Sequence, residues 1–175
     1  MRKFASLSVL GLTLMLAAST ASAQVSGTMT ATATVGASLS VAAAPGVTGS
    51  LRFGTLVQGA PATTTAASSA NAGRFDITGT GSALAITFTS LPSSLTGPSG
   101  ATIAMTAYQA CYTTTTVNTG CTTQPITAGP AMTGSPALSG AGLGYVFIGG
   151  TLGAVAASQA VGTYNGTITM QVVLL

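Results

Sequence analysis

Hydrophobic and polar residues alternate without interruption from Thr28 to Val41. Met29, Ala31, Ala33, Val35, Ala37, Leu39 and Val41 share one parity, while Thr28, Thr30, Thr32, Thr34, Gly36, Ser38 and Ser40 hold the other. Side chains on a strand point to opposite faces with period two, so the pattern predicts a strand with one apolar and one polar face. Helical spacing fits badly, because residues 32, 36 and 40 would put polar groups on the stripe made by 29, 33 and 37. The run is unusually long. At roughly 3.3 Å per residue it would reach about 45 Å, against about 17–20 Å for an ordinary strand. Either it breaks at Gly36 into two strands, or one part belongs to its own domain and the other serves something else.

Shorter strand patterns follow. Leu51 to Val57 reads as a strand, and Ala60 to Gly73 as a loop or weak strand. Arg74 to Thr78 places Phe75 and Ile77 on one face and the neighbouring charges Arg74 and Asp76 on the other. Ala83 to Ser90 turns Leu84, Ile86 and Phe88 inward, and Pro92 and Gly97-Pro98 mark a turn. Thr102 to Ala110 carries Ile103, Met105 and Ala107 on one parity, whereas Tyr112 to Gly142 shows no sustained period and reads as a long loop. Leu143 to Leu152 is a further strand with a bend at Gly149-Gly150. Thr163 to Leu175 closes the chain with Ile168, Met170, Val172 and Leu174 in alternation, after an Asn165-Gly166 pair that suggests a tight hairpin turn. Several short strands with no helix among them predict an all-β fold, an antiparallel β-sandwich.

The first residues follow a different logic. Arg2 and Lys3 form a positive region, Phe4 to Ala18 is apolar, and Ala21-Ser22-Ala23 has the small-residue spacing of a signal-peptidase site. Residues 1–23 are therefore expected to be a signal peptide cleaved after Ala23, with Gln24 opening a mature chain that makes no membrane insertion. Cleavage changes the charge. The formal +3 of the whole chain includes Arg2 and Lys3, so two arginines, Arg52 and Arg74, then stand against one aspartate, Asp76, for a net of +1. Such a chain cannot neutralise several phosphates, so no nucleic-acid partner is expected. Charged residues make up 3% of the sequence, against about 25% in ordinary soluble proteins. A surface with so little repulsion favours packed assembly.

The inventory also restricts chemistry. With no His, no Glu and a single Asp, paired carboxylates, a Ser-His-Asp set, a Cys-His pair and a carboxylate or imidazole metal site are unavailable. No phosphate-cradling G-x-x-x-x-G-K-[ST] loop occurs. The expectation is a non-enzyme without cofactor or metal. Cys111 and Cys121 flank a polar stretch, CYTTTTVNTGC, and behind a secretory leader an even count predicts a structural disulfide.

Several short motifs resemble a known group. Leu51-Arg52-Phe53-Gly54-Thr55-Leu56, Phe75-Asp76-Ile77-Thr78-Gly79, Gly149-Gly150-Thr151-Leu152 and the closing Gly162-Thr163-Tyr164-Asn165-Gly166-Thr167-Ile168-Thr169-Met170 look like secreted bacterial domains akin to spore coat protein U. That group includes the pilins of archaic chaperone–usher pili and a sister set of domains of unassigned function. Val25-Ser26-Gly27-Thr28-Met29-Thr30-Ala31 also resembles the free N-terminal extension of those pilins. The resemblance implies an immunoglobulin-like sandwich that lacks its last strand. Its groove would be filled first by a periplasmic chaperone and then by the N-terminal strand of another subunit, as in other cases of β-augmentation. Residues 24–34 would then be a donor extension, with Val25, Met29, Ala31 and Ala33 inserting, and residues 35–175 the domain, with Ile168, Met170, Val172 and Leu174 on the strand beside the groove. The implied partners are copies of the chain or related subunits, a periplasmic chaperone and an outer-membrane usher. The implied location is the cell surface, reached through the periplasm, and the implied function is a fibre subunit for adhesion or biofilm formation. Met29, Ala31 and Ala33 are small for filling a groove, and Cys111 and Cys121 do not match the sandwich cysteines of many such pilins. A second reading therefore stays open: a self-complete secreted β-sandwich that binds a surface or ligand as a monomer.

Overall fold

The computed structural model describes residues 38–81, 83–134 and 136–175. The expected signal peptide, the expected donor extension with Val25, Met29, Ala31 and Ala33, and residues 35–37 lie outside the described residues. What is described is all-β and antiparallel. The strands are β1 (Leu39–Ala43), β2 (Thr63–Thr65), β3 (Gly73–Gly79), β4 (Leu84–Ser90), β5 (Ser94–Thr96), β6 (Thr102–Thr113), β7 (Gln124–Pro125), β8 (Leu143–Leu152) and β9 (Thr169–Leu174). Short 3-10 turns at Gly46–Gly49 and Pro98–Gly100 are the only helical pieces among them.

The strands form two unequal layers. The larger sheet has the order β1-β3-β8-β6-β5, with β2 added on β8 and β7 on β6. The smaller holds only β4 and β9. Ile77 from β3, Ala110 from β6 and Val146 and Ile148 from β8 meet Leu84, Ile86 and Phe88 from β4 and Met170 from β9 in the main core. The segment 129–137, which lacks apolar periodicity, runs along the outer edge of β4. Gly129 and Met132 donate backbone bonds to Phe88 and Ile86, and Leu84 donates to Pro136. That edge is thereby closed.

The register also defines the two ends of the molecule. Thr80 N–H bonds Ser38 O and Gly79 N–H bonds Gly142 O at the end where β1 begins, here termed the entry end. The loops around Gln58, Pro98, Gln159 and Tyr164 gather at the far end, joined by bonds from Gln58 to Gln159 and from Gln159 to Tyr164. β1 runs from the entry end toward the far end, and β9 returns, bringing Leu174 opposite Leu84.

Four sequence expectations are revised. Leu51 to Val57 is not a strand: its chain crosses the far side of the larger sheet in an irregular path, held by Arg52 N–H to Asn71 O. The parity of Ile103, Met105 and Ala107 breaks at a bulge between Met105 and Ala107, after which Tyr108, Ala110 and Tyr112 face the core. β6 extends to Thr113, three residues past the expected end, because Cys111 through Thr113 pair with Phe147 through Tyr145. Asn165-Gly166 makes no hairpin turn; Asn165 bridges Thr96, and a Cβ at Gly166 would press on Leu95 and Pro92.

β8 is buried on both faces, as its near-continuous apolar run suggests. Its outer residues Tyr145 and Phe147 are covered by Ala67, Ala72 and the disulfide between Cys111 and Cys121. A Cβ at Gly149 would overlap the backbone of Thr65 to Ala67, so glycine there lets this loop lie flat on the sheet. Asn118 holds the arrangement by donating to Ala67 O and Ser69 O at 2.9 Å each. Beside it Arg74 contacts both carboxylate oxygens of Asp76, at 2.7 and 3.1 Å, and lies 5.4 Å from the Tyr145 ring centroid.

Two core-facing tyrosines give the fold a measurable pH response. Tyr108 donates to Pro92 O at 2.7 Å and Tyr112 to Ala137 O at 2.6 Å. Burial pushes the Tyr108 hydroxyl up to about 12 and raises Tyr112 as well. The folded state thus holds these protons more tightly than the unfolded chain, where tyrosine titrates near 10. Stability should be flat below pH 10 and fall as pH rises from there toward 12. Tyr108→Phe should be about 1 kcal/mol less stable at pH 7 through the lost hydrogen bond and should show a smaller alkaline loss. Urea midpoints at pH 8, 10 and 11.5 for both proteins check this.

Candidate functional site: an open seam between two strand edges

Two strand edges border the place where the smaller layer stops short. Thr80 N–H to Ser38 O and Ala44 N–H to Arg74 O mark the even-numbered residues of β1 as those that bond β3. In an antiparallel pair one residue directs both backbone groups to the same side. The N–H and C=O of Leu39, Val41 and Ala43 therefore point outward from the sheet. On β9, Leu175 N–H donates to Ala83 O, which marks the odd-numbered residues as those that bond β4. The backbone groups of Met170, Val172 and Leu174 point outward in turn. Among the described residues, β1 pairs only with β3 and β9 only with β4.

The same residues face the core with their side chains. Val41 sits opposite Ile77, and Ala43 opposite Phe75, so each pair shares a face of the sheet. Ile77 is 0% exposed beneath β4 and β9, yet Val41 on the same face is 36% exposed. Phe75, two residues from Ile77, is only half-buried. The difference comes from coverage: β4 and β9, extended on the far edge of β4 by the segment that carries Ile126, Met132 and Leu138, roof the larger sheet over Ile77 but leave Val41 part-exposed. From the other side, Met170 is buried, while Ile168, Val172 and Leu174 are half-buried against the core. The four residues expected along β9 therefore do share one face, with Ile168 just ahead of the strand.

At the far end the seam deepens into a cleft of about 320 Å³, lined among others by Leu51, Phe53, Phe75, Tyr108, Tyr164 and Ile168. The cleft is lined by Ala43 at the end of β1 and by Tyr164 to Ile168 just ahead of β9, while β1 and β9 themselves approach within 8 Å at their Cα atoms. An apolar cleft beside an outward-facing strand edge is a geometry that can receive an extended peptide. Asp76 points to the opposite face of β3, and no group of three or more metal-ligating side chains occurs among the described residues. Of the cleft residues only Ile168 was singled out from sequence as a site residue; Leu39, Val41 and Phe75 were not. Leu39 and Val41 do end the alternating run, but exposure on a core face depends on the width of the opposite layer.

A family model described as a domain of unknown function (DUF4402) matches residues 46–173. The match spans the cleft and nearly all of β9, and leaves β1 and everything before it outside. Neither a curated protein nor a solved structure matches the chain.

Incomplete coverage makes neighbouring core-face residues unequal. In monomeric protein, Val41→Ala should cost less than about 1 kcal/mol, because the side chain is already in contact with water, whereas Ile77→Ala should cost about 2–5 kcal/mol. Denaturant unfolding of the two variants checks this. Equal losses would show that Val41 is roofed in the monomer.

Proposed function

We propose that this chain, which belongs to the DUF4402 family, is a structural subunit of an extracellular fibre assembled by donor-strand exchange, serving adhesion or biofilm formation. The observation that carries the reading is the seam beside β1 and β9, where core-face side chains lie together with backbone that has no ladder partner among the described residues. In this reading the two layers are an immunoglobulin-like sandwich short of one strand. Residues 25–33 of a second copy, after export through the periplasm and removal of the leader, supply it.

The dimensions agree. Nine extended residues reach about 30 Å, enough to run along the six residues of β9 and over the cleft ahead of it. An inserted strand pairs with the outward backbone of Met170, Val172 and Leu174 and lays Val25, Met29, Ala31 and Ala33 over Val41 and Phe75. The small size of Ala31 and Ala33 then suits the site, because Val41 and Phe75 already half-fill it. A periplasmic chaperone covering the same seam before assembly, and an outer-membrane usher passing subunits outward, complete the proposal. The near absence of charge fits dense packing of copies. A self-complete monomer is the competing arrangement, since residues 34–37 are enough to fold 25–33 back onto β1 of the same chain.

The opening run distinguishes the two. Ala31→Asp buries an unpaired carboxylate in the seam at a cost of several kcal/mol, and should abolish multimers that resist denaturant at ambient temperature. Thr30→Asp, on the wet parity, should leave them intact, and deletion of Gln24 to Ala33 should remove them. Gels run before and after boiling read the multimers, with monomer melting measured alongside. Multimers persisting in the deletion variant, or a stable monomer unfolded by Ala31→Asp with no multimers in the unsubstituted protein, would overturn the proposal.

A further inference from the structure

We infer that Asn165 is a site of spontaneous deamidation, through which the rim of the cleft passes from neutral to anionic as the protein ages. The inference stands apart from the fibre reading. The chain holds three asparagines, Asn71, Asn118 and Asn165, and only Asn165 precedes a glycine. In this reaction the deprotonated backbone nitrogen of the following residue attacks the asparagine Cγ. A C–N bond forms, ammonia leaves and a succinimide ring results. Water then opens the ring at either carbonyl, giving aspartate or isoaspartate, and no other reactant is needed.

The three asparagines differ in what their surroundings allow. Asn118 donates its side-chain amide to Ala67 O and Ser69 O. After Asn71, the Ala72 N–H is bonded to Ser69 O at 3.2 Å, and the Ala72 Cβ crowds the approach. Asn165 is exposed, and its side-chain amide bonds no group among the described residues. The Gly166 N–H donates to none of them either, and Gly166 has no Cβ to obstruct ring closure. The Asn165 backbone is held by one isolated bridge, donating to Thr96 O at 2.9 Å and accepting from Thr96 N–H at 2.8 Å. Bringing the Gly166 nitrogen to Cγ turns the Asn165 carbonyl and breaks only the second of these bonds.

Packing fixes the labile pair in place. A Cβ at Gly166 would stand 2.8 Å from Leu95 and 3.0 Å from Pro92, both of which line the cleft. Asn165 and Gly166 line it too, and of the lining residues only Arg74 is charged. Its guanidinium turns to Asp76 on the other face of β3. A carboxylate at residue 165 would therefore stand uncompensated on the rim of the cleft. Isoaspartate would also lengthen the backbone where Asn165 meets Thr96.

The test incubates the full chain at pH 8, folded and in parallel unfolded in guanidinium chloride, and follows each asparagine by peptide mass spectrometry. In the folded protein Asn165 should convert about tenfold faster than Asn71 or Asn118, a barrier difference of about 1.4 kcal/mol. It should yield isoaspartate alongside aspartate, the mark of a ring opened at both carbonyls. Its folded rate should lie within about tenfold of its unfolded rate, since closure breaks a single hydrogen bond. Isoelectric focusing should resolve an acidic form that grows with time, and Asn165→Ser should lack it. An Asn165 rate no greater than that of Asn71 or Asn118 would overturn the inference. Slowing in the folded state beyond about tenfold, or aspartate without isoaspartate, would overturn it equally.

Discussion

The smaller layer does not roof the whole of the larger sheet, and the consequences of that mismatch run through this protein. Where β4 and β9 cover the larger sheet, Ile77, Val146 and Ile148 are sealed. Where they stop, Val41 and Phe75 lie on the same core face with water beside them. The edge of β4 is closed by the segment 129–137, so the shortfall is concentrated along β1 and β9. Both edges there turn backbone donors and acceptors toward the gap. An apolar cleft beside an outward-facing strand edge is costly to leave exposed and simple to fill, because a single extended peptide satisfies both the side chains and the backbone.

The opposite face of the sheet is finished differently. Tyr145 and Phe147 are covered by the chain's own loops, pinned by the disulfide and by Asn118. The Arg74–Asp76 pair takes two of the three charged side chains that follow Lys3 and neutralises them beside Tyr145. Such a pair adds little stability, but it keeps charge off the seam side of β3. One face is therefore complete within the described chain and the other is not, which is why the proposed function is placed on the β1–β9 side.

Much of the fold was readable because its strands alternate. Phe75 and Ile77, then Leu84, Ile86 and Phe88, then Met170, Val172 and Leu174 each mark an inner face that the structure reproduces. β8 was readable for the contrary reason, a continuous apolar run with both faces buried. The pattern failed where backbone geometry changes without a compositional mark. The bulge after Met105 reverses the parity of β6 between residues that look equally suited to either face. Leu51 to Val57 has the composition of a strand but is held by far-side loops and the cleft rather than by a ladder. The segment 129–137 pairs with β4 through backbone bonds that owe nothing to its side chains. The candidate site shows the same division. Its β9 wall was visible as an alternation; its floor was not, because the exposure of Val41 and Phe75 depends on strands that are far away in sequence.

The central claim is that the outward edge of β9 is open in one subunit and paired in the assembly. Amide hydrogen exchange resolved to single residues, on monomeric and on assembled protein, tests it most directly. Gln171 and Val173, which bond β4, should be protected in both states. Met170, Val172 and Leu174 should exchange rapidly in the monomer and become protected on assembly, as amides do when local opening has to break a ladder. Protection of Met170, Val172 and Leu174 already complete in the monomer, or still absent in the assembly, would contradict the account.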